Sequence, residues 1–145
     1  MSGYSIMIMD DEATAEALRT ALKSAGFNQI DCFSDPVKAM AAFETRKYHV
    51  LLADMDMPEL DGIEVLSKVK KYDPMTQAIM TTTSSSIDRI LICLELGASD
   101  YILKPYLNDT IVLEAIEASI KKLERWRTTI QGAVLKQSEA NQEKT

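Results

Sequence analysis

The sequence predicts an α/β domain in which a parallel five-stranded sheet is covered by helices on both faces. Three observations predict it. Short apolar runs alternate with stretches of helical periodicity, five such β-then-α pairs fit within 145 residues, and strands alternating with helices need crossover connections of the kind that build parallel sheets.

Each element follows in order. Ser5 to Met9 is an apolar run and reads as a buried strand. Ala13 to Ala25 carries Leu18 and Leu22 at helical spacing and meets a stop signal at Gly26. Gln29 to Phe33 is a second, weaker strand. Ser34 or Asp35 can cap a helix that has Pro36 in its first turn and runs to about Arg46. His49 to Ala53 is the most apolar strand. A turn-rich loop with Pro58, Asp61 and Gly62 leads to a helix through Ile63, Leu66 and Val69 that ends near Asp73-Pro74. Ala78 to Thr81 is the fourth strand, and Ile87 to Leu96 the fourth helix, closed by Gly97. Tyr101 to Leu103 is the fifth strand, ended by Lys104-Pro105, and Asn108 or Asp109 starts the last helix. Right-handed crossovers leave few doubly wound arrangements, and for five strands the expected order is 2-1-3-4-5, the flavodoxin-like (βα)5 sandwich.

Composition excludes several functions. The hydrophobic share of 46% and charged share of 26% are those of an ordinary globular protein. No apolar run approaches the roughly 20 residues of a membrane span, and no signal peptide is evident, so a cytoplasmic protein is expected. A net charge of −6 argues against a nucleic-acid-binding surface. Cys32 and Cys93 read as buried free thiols, and His49, the only histidine, as structural. Any metal should therefore be a hard cation held by carboxylates.

In an open α/β sheet, ligands bind beyond the carboxyl ends of the strands. Strand one ends in Asp10-Asp11-Glu12, strand three in Asp54, strand four in Thr82 and strand five in Lys104. In the expected order these four strands are neighbours, so three carboxylates, a hydroxyl and an ammonium should share one rim. Clustered carboxylates gain by binding a divalent cation, and an oxygen-only site suits Mg²⁺. A carboxylate beside it can attack a phosphoryl group, whose transfer needs mainly positioning and charge neutralisation. Taken singly, the residues have plainer roles: Asp10 or Asp11 as a cap of the first helix, Thr82 as one more loop hydroxyl, Lys104 as a solvated charge.

The motifs Ile8-Met9-Asp10-Asp11-Glu12, Leu52 to Gly62 with its Asp-x-x-Met-Pro-x-x-Asp-Gly pattern, Thr82, and Gly97 to Pro105 resemble, in order, the receiver domain of bacterial two-component response regulators. The resemblance covers about Tyr4 to Lys122. It implies that Asp54 accepts a phosphoryl group. It also implies that Asp11, Asp54 and the backbone carbonyl of Asp56 bind Mg²⁺, with Asp10 assisting through water. Lys104 would pair with the phosphoryl group, and a cis Lys104-Pro105 bond, tolerable because of the proline, would aim it into the site. Thr82 and Tyr101 would form the switch pair that repacks the face of helix four, strand five and helix five. The implied partners are a sensor histidine kinase or histidine phosphotransfer protein and a downstream output protein or domain. The exposed face of helix one around Thr14, Ala15 and Leu18, with the loop after Lys104, is expected to take part in kinase choice. Two positions depart from the family pattern. Thr83 stands where a very small residue is usual, and Asp56 adds a third acid beside the metal loop; both are expected to tune the acyl phosphate.

The receiver is expected to span residues 1–124, with 125–145 a helical extension and polar tail, frayed from Gln137, and no output domain. Leu113, Ile116, Ile120, Leu123, Ile130 and Val134 recur in a heptad-like seam broken by Arg127. Beyond Leu123, Trp126, Ile130 and Val134 have no obvious core to join, so a homodimer through this extension or through the helix four/five face is a further expectation. Two rival readings exist. A phosphatase of the haloacid-dehalogenase type is suggested superficially by Asp54-Met55-Asp56, but that motif normally follows the first strand, and the chain is short for the family. A pure interaction module is opposed by the intact set of Asp10, Asp11, Asp54, Thr82 and Lys104.

Overall fold

The computed structural model describes residues 3–84 and 86–143. Strands β1 (Ser5–Met9), β2 (Gln29–Phe33), β3 (Val50–Asp54), β4 (Gln77–Thr82) and β5 (Asp100–Leu103) alternate with helices α1 (Glu12–Ser24), α2 (Pro36–Thr45), α3 (Gly62–Tyr72), α4 (Ile87–Glu95) and α5 (Thr110–Glu143). All the strand pairings are parallel, and the order is β2-β1-β3-β4-β5, as expected.

Successive strand residues point to opposite faces, and each face has its own helices. Met7, Met9, Leu51, Ala53, Ala78 and Met80 meet Phe43 of α2, Leu66 and Val69 of α3, and Cys93 of α4. Ile6, Ile8, Val50, Leu52 and Ile79 meet Leu18 and Leu22 of α1 and Ile116 and Ile120 of α5. Burial on both faces explains why β1, β3 and β4 read as continuous apolar runs. The weaker β2 lies at the sheet edge and is only partly buried.

Local chemistry sets the helix ends. Asp11, Asp35 and Asp61 cap α1, α2 and α3 by accepting from the amides of Thr14, Val37 and Ile63. Pro36 occupies the first turn of α2, where its missing N–H is not needed. Gly97 closes α4 with φ of 94°, a left-handed conformation that favours glycine.

Three expectations are corrected. The segment from Gln137 is not frayed: α5 continues to Glu143, because Ala133 to Glu143 contains no Gly or Pro and is rich in good helix formers; the last two residues of that tail lie outside the described residues. Ala15 and Leu18 are not exposed, because they share the apolar stripe with Leu22 and are 3% and 2% accessible. The exposed residues of α1 are instead Glu12, Ala13, Glu16, Ala17, Thr20, Lys23 and Ser24. Cys93 is buried, but Cys32 is only partly so; both are free thiols.

Candidate functional site at the carboxyl ends of the strands

The register brings the predicted residues to one edge. Met9 pairs with Ala53, Asp54 with Thr81, and Thr82 with Leu103, so Asp10, Asp54, Thr82 and Lys104 follow or end the successive strands β1, β3, β4 and β5 at the same level. Backbone bonds extend the ladder past the strands: Met55 N donates to Thr81 O at 2.8 Å and Lys104 N to Thr82 O at 2.7 Å. The Lys104-Pro105 bond is cis, as the motif implied.

Lys104 is the hub. Its Nζ donates to Asp10 Oδ2 at 2.8 Å and lies 3.7 Å from Asp54 Oδ2. The Asp10 side chain is 3% exposed and that of Lys104 17%. Burial pushes the Asp10 carboxyl above the usual carboxylate range, against the pull of its bonds from Lys104 and the Asp11 amide. Burial alone would lower the Lys104 ammonium, but the hydrogen bond to Asp10 and the charges of Asp10 and Asp54 raise it. Asp54 Oδ1 accepts from Asp56 N at 2.9 Å, which orients Oδ2 beside the ammonium.

Beside this cluster stands a second one. The Asp56 carboxylate accepts from Thr82 Oγ1 at 3.0 and 3.1 Å, from Thr83 N at 2.9 Å and from Thr83 Oγ1 at 3.1 Å. Burial acts to raise its pKa, but these donors outweigh it and hold the carboxyl below the ordinary value. Thr82 Oγ1 also accepts from Ser84 N at 3.0 Å, so the hydroxyl run that follows β4 is locally hydrogen-bonded; Ser85 lies outside the described residues. Sequence reasoning placed Asp56 near the metal loop but did not find this role for its side chain. The signal available was an acid two residues after Asp54 together with hydroxyls at both Thr82 and Thr83.

Asp11 takes the plainer of its two expected roles. Its oxygens accept from Thr14 N at 2.8 Å and Thr14 Oγ1 at 2.7 Å, and these bonds hold its carboxyl below the ordinary value. Among the described residues, no three His, Cys, Asp or Glu side chains form a group able to hold a metal ion. In this structure Asp10 and Asp54 meet at Lys104, while the Asp11 carboxylate is held by Thr14. Mg²⁺ usually keeps several waters and needs only one or two protein carboxylates, so this donor set still fits it. Tyr101 is half-buried against the cluster that holds Met80 and Cys93. His49 is structural: its Nδ1 accepts from Ser5 N at 3.0 Å.

Comparison with known proteins bears on the family and the fold. The model of the response regulator receiver domain matches residues 6–117. The transcriptional regulatory protein QseB of Haemophilus influenzae is 29% identical over 133 residues, which cover 92% of this chain and 58% of QseB. A response regulator receiver domain protein (CheY-like) from Methanospirillum hungatei JF-1 superposes with a TM-score of 0.79 at 27% identity, covering 84% of this chain and 97% of that one. The response regulator protein TrrA from Thermotoga maritima, in complex with Mg(2+)-BeF, superposes with a TM-score of 0.71 at 25% identity, covering 80% and 98%. Among curated relatives the chain spans between 27% and 58% of their length. No described helix is long and apolar enough to cross a membrane. A match that takes in all five strands and every strand-end residue described above leads to one conclusion: the chain belongs to the response regulator receiver domain family of two-component signalling.

Proposed function

We propose that this domain accepts a phosphoryl group on Asp54 from a sensor histidine kinase or histidine phosphotransfer protein, in a Mg²⁺-dependent reaction, and signals through the α4-β5-α5 face. One observation carries the reading. Asp54 ends β3 with one oxygen held by the Asp56 amide and the other beside Lys104, which a buried Asp10 anchors. In the step, a carboxylate oxygen of Asp54 bonds to phosphorus while the bond from phosphorus to the donor imidazole nitrogen breaks, and that nitrogen keeps the electron pair. Lys104 offsets charge on the phosphoryl oxygens. Asp11, Asp54 and the Asp56 carbonyl would hold Mg²⁺ directly and Asp10 through water, once Asp11 turns from Thr14. Bound there, the ion supplies charge neutralisation on the transferring group.

The signalling half rests on surface chemistry. Ile87, Leu91 and Leu94 of α4, Leu103 of β5, Leu107 in the loop before α5 and Ile111 in its first turn are exposed apolar side chains. Such a face suits an output protein, an output domain or a second copy. Thr82 and Tyr101, which lead into it, would be the switch pair. We assign residues 1–124 to the receiver and 125–145 to a helical extension and polar tail, whose exposed Trp126, Ile130 and Val134 are a second surface for a homodimer. A cytoplasmic location and the lack of direct nucleic-acid or membrane binding belong to the same reading. The phosphatase alternative is weakened because the Asp56 carboxylate is occupied by Thr82 and Thr83 rather than free as a general acid.

Incubation of the full chain with Mg²⁺ and acetyl phosphate, followed by intact mass measurement, tests the proposal. One phosphate is expected on wild type and none on Asp54→Ala. A phosphate retained by Asp54→Ala would overturn it, as would turnover of a generic phosphate ester at enzymatic rates.

A further inference from the structure

Asp56 touches both halves of the site. Its amide holds Asp54 Oδ1, and its carboxylate holds the hydroxyl of Thr82 and both the amide and hydroxyl of Thr83. A threonine hydroxyl has one proton to donate, and that of Thr82 points to Asp56 while its lone pair takes the Ser84 amide. The Thr82 hydroxyl and the Thr83 amide and hydroxyl, which an anion on Asp54 could otherwise take, are thus already used by an anion. Thr83 contributes one of these bonds through a hydroxyl that a smaller residue would lack, so the two departures from the family pattern act together.

We propose that the Asp56 carboxylate is a positioning group that stands in for the phosphoryl anion in the resting state, holding Thr82 and Thr83 until a phosphoryl group displaces it. This rests on the assignment of Asp54 as phosphoacceptor. Modification of Asp54 then exchanges one acceptor for another. The incoming anion competes for the Thr82 proton and the Thr83 amide, and it is repelled by the carboxylate that gives them up. The Asp56 carboxylate therefore raises the threshold for switching without taking part in the transfer itself.

The test uses the full chain, Mg²⁺ and beryllofluoride as the phosphoryl mimic, with the bound fluoride signal read by ¹⁹F NMR as beryllium is titrated. Removing a charge-assisted acceptor should lower the half-saturation concentration roughly tenfold in Asp56→Ala. Asp56→Asn, which keeps one uncharged acceptor, should fall between Asp56→Ala and wild type. In a Thr82→Ala background the gain from Asp56→Ala should shrink to roughly threefold or less, because the contested hydroxyl is gone. If wild type binds the mimic but Asp56→Ala leaves the midpoint unmoved or raises it, the inference fails alone. A gain of the same size with and without Thr82 overturns it too, since it would then reflect net charge only. Absence of the adduct on wild type would instead remove the Asp54 assignment, and the inference with it.

Discussion

Replacing Lys104 with methionine isolates the hub of the site. The substitution keeps most of the stem volume and removes the ammonium, so Asp10, with its side chain 3% exposed, keeps only the Asp11 amide at 2.7 Å. Breaking a buried ion pair from one side typically costs about 3–5 kcal/mol. Asp10 can limit that cost by taking up a proton, which burial already favours. The expected loss at pH 7 is therefore near the low end, about 3 kcal/mol. With a urea dependence of about 1–3 kcal/mol per molar, the midpoint should fall by roughly 1–3 M. The sign with pH follows from Asp10. A folded carboxyl pKa raised above its unfolded value favours the folded state most at low pH, so the loss in Lys104→Met should shrink as pH falls below neutrality. In an Asp10→Asn background the same substitution should cost about 1 kcal/mol, because no buried charge is stranded. Equilibrium urea unfolding followed by circular dichroism measures all four proteins. A midpoint change below roughly 0.5 M in the single variant, or an undiminished one in the Asp10→Asn background, would refute the reasoning.

Two further substitutions probe the frame around the site. A Cβ on Gly62 would lie 2.7 Å from Met55 Cα and from its Sδ, and the Cα is backbone that cannot yield cheaply. Gly62→Ala should therefore destabilise by about 1–2 kcal/mol despite its better helix propensity, and scanning calorimetry should show the melting temperature falling by roughly 2–8 °C; a rise would contradict the packing. His49 has its pKa lowered below 6.5 by burial and, to a smaller degree, by Lys47 and Arg127, so the neutral ring is the folded form. The unfolded chain then binds more protons in the window between the folded pKa and 6.5, and wild-type stability should fall as pH drops through it. His49→Asn keeps an acceptor for the Ser5 amide and should flatten that slope in urea midpoints measured across the window.

The strands and the acidic rim were legible because each rests on local chemistry. Apolar runs such as Ile6 to Met9 and Val50 to Ala53 state their own burial, and a polar residue directly after such a run must emerge at the strand end. What escaped depended on side-chain direction. Asp11 could cap α1 or face the metal, and spacing allowed both; in this structure its side chain turns to Thr14. Asp56 was visible as an acid in a loop, but its bonds to Thr82 and Thr83 exist only because β3 and β4 are neighbours. The accessible face of α1 was misjudged although Leu18 and Leu22 already fixed its phase: residues on one stripe with Leu22 have to face the sheet. The helical run beyond Gln137 has no packed core to announce it, and only propensity speaks for it.

The unbroken course of α5 gives the domain a lever. From Glu124 to Glu143 twenty residues rise about 30 Å beyond the last buried position at Leu123. A tilt of about 5° at Leu123 would swing its far end by about 2.6 Å, given that rise. Repacking too slight to notice beside the sheet would thus arrive at the tip as a displacement large enough to make or break an atomic contact.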